Sequence, residues 1–191
     1  MNKLYKLLNK YSNGKNVLLL FILTQMVFAY MLTYTIPSVM SYANGMKILD
    51  VCPTGYSASY VKTLFDKLEP QGREVYLFRQ LPLDMIYPLL FTISFSLLLT
   101  FLFKQSFNPK SRIFILSLLP ILGGFFDYLE NMGIITMLLI YPKFSVALAN
   151  ITNIFTLLKS GGTTLMYISL IIGVIALILN KFGKLKKNES I

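Results

Sequence analysis

Residues 113–140 read IFILSLLPILGGFFDYLENMGIITMLLI, and their only charged side chains are two acids, Asp127 and Glu130. Wound as an α-helix at ~1.5 Å per residue, the run is longer than the ~30 Å hydrocarbon core of a bilayer. The expected element is a membrane span that tilts or projects beyond the lipid. Helical spacing then places Pro120, Gly123, Gly124, Asp127, Glu130, Asn131 and Ile134 along one face. Small residues there let a neighbouring backbone come close, and the acids and the amide project towards other helices.

Three further apolar runs flank this one. Residues 17–36 are closed by Pro37, and residues 81–103 carry Pro82 and Pro88 in their first turns, where proline costs least. Residues 155–180 end at Lys181 and are weakened by Gly161-Gly162. The first run is expected to be retained rather than cleaved as a signal peptide, because it is too long and no small-residue cleavage site follows. The fold class this implies is an all-α membrane protein. One domain over residues 1–191 would form a four-transmembrane-helix bundle, with a short helical extracytoplasmic cap between helices 1 and 2.

Composition agrees. Hydrophobic residues make up 55% of the 191 positions and charged residues only 14%, against ~25% charged in an ordinary soluble domain. A net charge of +10 invites a nucleic-acid reading, but the positions of the cations argue against it. They gather as Lys3, Lys6, Lys10 and Lys15, as Lys104, Lys110 and Arg112, and as Lys181, Lys184, Lys186 and Lys187 with the acid Glu189. Each group flanks an apolar run, as retention of basic segments on the cytoplasmic side produces. No nucleic-acid partner is expected. The location expected is the cell (inner or plasma) membrane, multi-pass, with both termini cytoplasmic.

The outer segment 37–80 is too long for a simple turn. Residues 57–69 place Tyr60, Val61, Leu64, Phe65 and Leu68 on one helical face, Pro70 and Gly72 break the pattern, and residues 73–80 can run as a second helix into span two. The face can cap the bundle or rest on lipid headgroups. Residues 145–158 present Val146, Leu148, Ile151 and Phe155, either as another interfacial helix or as the projecting start of span four. The two halves share no repeat, so an inverted-repeat transporter lacks its usual support.

An acid inside a span costs ~2.5–3.5 kcal/mol at the bilayer centre on insertion scales, and there are three: Asp84, Asp127 and Glu130. Lys159 is the one certain cation near them, with Arg79 a second from the cap side. Polar stripes on span four (Thr152, Thr156, Lys159, Ser160, Thr163, Tyr167), span two (Asp84, Tyr87, Ser94) and span one (Thr24, Gln25) converge with the acids on a polar cavity in the outer leaflet. Asp127, Glu130 and Lys159 are the catalytic candidates, two proton-handling acids and their electrostatic partner. Asp84 and Arg79 would form a gate, and Asn131, Tyr87, Thr156 and Thr163 would contact ligand. Three carboxyls against one certain cation leave at least one without a full partner, a condition for acid–base work. The alternative is that ion pair and amide lock the helices together without chemistry.

Histidine is absent and Cys52 is alone. Histidine-based triads, histidine-type zinc sites and an internal disulfide are therefore excluded, and neither a metal nor a cofactor is expected. Cys52 has no flanking cations that would make a reactive thiol. Beyond membrane lipids, the expected partner is a lipid-like or amphipathic small molecule. Two rivals stay open: a proton- or ion-coupled carrier, which with four spans is expected to form a homo-oligomer, and a non-catalytic accessory or immunity protein. Whether the chain is an enzyme is left open by the sequence.

Leu49-Asp50, Gly55-Tyr56, Gly72-Arg73, Tyr76-Leu77, Leu83-Asp84 with Pro88, Asp127-Tyr-Leu-Glu-Asn131 and Thr156-Leu-Leu-Lys159 together resemble a family of small bacterial four-span integral membrane proteins without assigned function. The resemblance covers most of the chain. It implies that the cap and the intramembrane acids belong to one site, and it supplies no substrate. Quinone-reducing oxidoreductases related to vitamin K epoxide reductase share a four-span core but need paired cysteines. Sterol isomerases and sigma-2-type proteins are similar only in holding carboxylates in a membrane cavity, and the histidine expected for isomerisation is missing.

Overall fold

The computed structural model describes residues 3–108 and 111–188; Lys110 and Glu189, which belong to the basic segments, lie outside them. All regular structure among the described residues is helical. Five helices follow one another: α1 (Lys3–Tyr11), α2 (Gly14–Tyr42), α3 (Ala58–Ser106), α4 (Arg112–Ile140) and α5 (Val146–Asn188). Helices α2, α3, α4 and the Val146–Phe182 part of α5 are each long and apolar enough to cross a membrane.

Each expected span falls inside one of these four helices; α4 exceeds its apolar run by one residue, and the other three run well beyond theirs. Polar caps set their beginnings. The Asn13 side chain accepts from the Asn16 amide ahead of α2, Ser57 accepts from Tyr60 ahead of α3, and Ser111 accepts from Ile113 ahead of α4. Residues 145–158 are not a separate interfacial helix: the Ser145 hydroxyl accepts from the Leu148 amide, and α5 continues unbroken from there.

Helix α3 bends sharply at Glu69, whose φ of 54° and ψ of 177° leave the helical region. Pro70 is the cause, because its ring clashes with an α-helical residue before it. The stretch before the bend turns Val61, Leu64, Phe65 and Leu68 fully inward, against Val39 and Ala43, the loop residues Ile48 and Leu49, and Ile134 and Met137 of α4. Beyond the bend, Gly72 is packed so tightly on Tyr42 that a β-carbon there would sit 2.6 Å from the tyrosine Cβ.

Both α2 and α3 contain a wide turn. The Ile36 amide donates to the Met31 carbonyl and the Leu81 amide to the Tyr76 carbonyl, each five residues back, forming π-turns over Met31–Thr35 and Tyr76–Gln80. The Thr35 hydroxyl donates to the Gln80 side-chain oxygen, tying one wide turn to the other. Large apolar side chains including Leu19, Met26, Phe125, Leu139 and Leu165 point outward. At one end of the molecule the Lys104 ammonium donates to the Asn9 carbonyl at 3.0 Å and the Asn180 amide to the Ser106 carbonyl at 2.8 Å. The loop 43–57 lies at the other.

Candidate functional site

The face expected on α4 forms as spaced: Pro120, Gly123, Gly124, Asp127, Glu130, Asn131 and Ile134 are all buried. Helix α5 lies along it and presents Thr156 and Lys159, three residues apart, to Asp127 and Glu130, also three apart. The Lys159 ammonium reaches Asp127 Oδ1 at 2.8 Å and Glu130 Oε2 at 2.7 Å. The other Glu130 oxygen accepts from the Thr156 hydroxyl at 2.6 Å, and that hydroxyl lies 3.2 Å from the phenol of Tyr56. Glu130 is thus fully enclosed, with both oxygens bonded, and Asp127 stands on the more open side of the ammonium.

Helix α3 joins through Asn131, whose side-chain amide donates to the Asp84 carbonyl at 2.8 Å. This bond fixes the backbone that carries the Asp84 carboxyl. Asp84 is 4% exposed, and its buried Oδ2 has no hydrogen-bond partner among the described residues.

A cavity of about 420 Å³ opens between these groups. One wall is polar: Asp84 from α3, Asp127 from α4, and Thr156, Lys159 and Thr163 from α5. The wall that α2 supplies is apolar, made of Phe28, Met31, Leu32 and Ile36, and α3 adds the aromatic rings of Tyr87 and Phe91. The loop contributes Asp50, Val51 and Pro53. Asp50 accepts from the Tyr76 phenol at 2.8 Å and from the Gln80 amide at 3.2 Å, so the π-turn of α3 holds its carboxylate in place. Burial pushes the Asp50 carboxyl above the usual carboxylate range, and Asp127 adds to the shift. The pull of Lys159 and the bonds from Tyr76 and Gln80 act the other way. Burial likewise raises the Tyr56 phenol, and it raises Cys52, keeping that thiol protonated.

Of the residues singled out in the sequence, Asp84, Tyr87, Asp127, Thr156, Lys159 and Thr163 line this one cavity. Glu130 and Asn131 stand behind it as supports. Arg79 does not belong: it is exposed, and neighbouring Gln80 is the residue turned inward. The wide turn shifts the phase of α3 there, which a regular helical spacing does not foresee. Thr24 is spent on α2–α3 contact, donating to the carbonyls of Leu20 and Leu90.

Asp50, Tyr56, Tyr76 and Gln80 were missed as site residues. The signal for the first three was present only in the Leu49-Asp50, Gly55-Tyr56 and Tyr76-Leu77 strings, and Gln80 had none; by spacing alone, an acid in an outer loop reads as solvent-facing. Among the described residues no cluster of three or more His, Cys, Asp or Glu is placed to hold a metal ion. No protein-family model, curated protein or solved structure matches the chain.

Proposed function

We propose that this is a multi-pass membrane protein whose cavity binds a lipid-like or amphipathic small molecule drawn from the outer leaflet. In this reading α2–α5 form a four-helix bundle. The loop 43–57 and the first half of α3 cap its extracytoplasmic end, and both termini face the cytoplasm. The basic residues Lys10, Lys15, Lys104 and Arg112 at the opposite end support that orientation. Membership of the small four-span family that the sequence resembles is part of the same proposal.

One observation carries the reading: a cavity lined both by the ionic cluster and by the apolar side chains of α2. Its volume of about 420 Å³ falls in the ~300–1,000 Å³ range of small-molecule sites. An amphiphile satisfies both walls, whereas water leaves the α2 wall unsatisfied and a hydrocarbon leaves the ionic wall unsatisfied. Asp127 and Lys159 stand where they can exchange a proton with a bound head group, with Glu130, itself held by the Thr156 hydroxyl, keeping the ammonium in place. This is the arrangement that acid–base chemistry uses.

The test is native mass spectrometry of the protein released from nanodiscs, for the wild type and Thr163→Trp, which places a large ring in the cavity. Wild-type protein is expected to retain an amphiphile that the variant loses while keeping its helical circular dichroism. If the wild type retains none and takes up none saturably, the cavity is a packing void and the Lys159 network is a helix lock.

A further inference from the structure

We infer that the molecule bound in this cavity carries a positively charged head, an amine or a quaternary ammonium on an apolar chain, received by Asp84 and Asp50. The inference deepens the proposed function and rests on it. Lys159 is already shared between two carboxylates at 2.8 and 2.7 Å, so its charge is more than answered before any ligand arrives. Asp50 and Asp84 line the same space, and among the described residues no Lys or Arg other than Lys159 lines it. An anionic head would find no unengaged cation to pair with, whereas a cationic head favours the ionised form of Asp50 and Asp84 and pairs with it.

Asp84 supplies the second, independent observation. Its carboxyl is buried, lines the cavity and leaves Oδ2 without a partner, although Asn131 fixes the backbone beside it. Buried polar atoms in folded proteins are nearly always hydrogen-bonded and buried charges nearly always paired, so an unpartnered carboxyl oxygen beside a cavity marks a place for an N–H donor or for a cation.

The aromatic rings are arranged to accept the same charge. Phe28 and Tyr87 stack with centroids 5.4 Å apart, and Tyr87 meets Phe91 at 5.8 Å, so three rings in mutual contact line the cavity that Asp84 lines. Cations are drawn to such faces when desolvated. Beyond the rings, Met31, Leu32 and Ile36 accept the chain.

The test compares three twelve-carbon chains on the full-length protein in nanodiscs, each below its micellar concentration: dodecyltrimethylammonium, a neutral dodecyl polyethylene glycol ether and dodecyl sulfate. Radiolabelled dodecyltrimethylammonium is expected to bind saturably and at least tenfold more tightly than either of the others. Asp84→Asn should weaken it at least tenfold and leave the neutral chain unchanged, and Asp50→Asn should weaken it less. A lysophosphatidylcholine arm separates the sources. Competition equal to that of the simple ammonium points to a phospholipid head, and much weaker competition to a free amphiphilic amine.

If the neutral or anionic chain binds as tightly as the cationic one, or Asp84→Asn binds the cation like wild type, the cationic head is wrong although the amphiphile cavity survives. Absence of saturable binding by every chain overturns both. The comparison on wild-type protein decides the sign of the head even if Asp84→Asn does not fold.

Discussion

Replacing Lys159 with methionine keeps an unbranched apolar stem in place and removes the charge that Asp127 and Glu130 share. At an effective dielectric of ~20, a pair of unit charges at the observed 2.8 or 2.7 Å attracts by ~6 kcal/mol. Most of that is offset by taking the ions out of water, which costs several kcal/mol each. Removing the ammonium alone keeps the cost on the carboxylate side and loses the attraction. Breaking a buried pair this way costs ~3–5 kcal/mol, and the 20% exposure of the Lys159 side chain favours the lower end, ~3 kcal/mol. The assay is reversible unfolding in mixed micelles with increasing dodecyl sulfate, followed by circular dichroism. The triple variant Lys159→Met/Asp127→Asn/Glu130→Gln, with no charge left in the trio, should recover most of the loss. A cost below ~1 kcal/mol for Lys159→Met, the worth of an exposed pair, would show that water reaches the trio and refute the account of the polar wall.

Three further outcomes are expected. A methyl group at Gly161 meets open space, so Gly161→Ala should be neutral or stabilising by up to ~1 kcal/mol; at Gly124 it would strike the Thr92 hydroxyl and lie 3.1 Å from the Pro88 carbonyl, so Gly124→Ala should cost ~1–3 kcal/mol in the same unfolding assay. Because Asp50 holds its proton more tightly folded than unfolded, its contribution is most favourable at low pH. It declines as pH rises through the unfolded value of ~3.9 towards the raised folded value. Wild type should therefore lose stability relative to Asp50→Asn over that window, and a relative gain would show that Lys159, Tyr76 and Gln80 outweigh burial. Reporter fusions after Asn108 and after Lys187 should read cytoplasmic and one after Gln71 external; an external signal at Asn108 would reverse the assigned sides.

Much of the fold was legible because apolar periodicity is a local property. The seven residues spaced along α4 are all buried, and the inward face of Val61, Leu64, Phe65 and Leu68 follows from the same rule. Some helix ends were less legible: Lys15 suits a helix as well as a loop, and the Asn13 cap sets where α2 begins, whereas the helix from Ser57 and its break at Pro70 could be read from the pattern. The pairing of Lys159 with intramembrane acids could be anticipated from charge count. Asp50 could not, because its burial depends on Tyr76 and Gln80, 26 and 30 residues further along and brought back by a bend. Arg79 was misplaced for the converse reason: one wide turn is enough to exchange the inward and outward positions of two neighbours.

Each of those wide turns amounts to one extra residue accommodated without breaking the helix. Removing one residue from within Met31–Thr35 would let ordinary α-turns close and leave Ile36 and Val39 facing the core they fill. The same holds for Tyr76–Gln80, as long as Thr35, Tyr76 and Gln80, which carry the bonds to one another and to Asp50, are kept and an exposed residue such as Tyr34 or Phe78 is the one taken out. A deletion in the regular turns on either side would instead rotate everything beyond it by ~100°. The two wide turns are thus matched links of slack at one height. Any design that trims this protein to suit a thinner bilayer can take one residue from each of them without turning either helix on its axis.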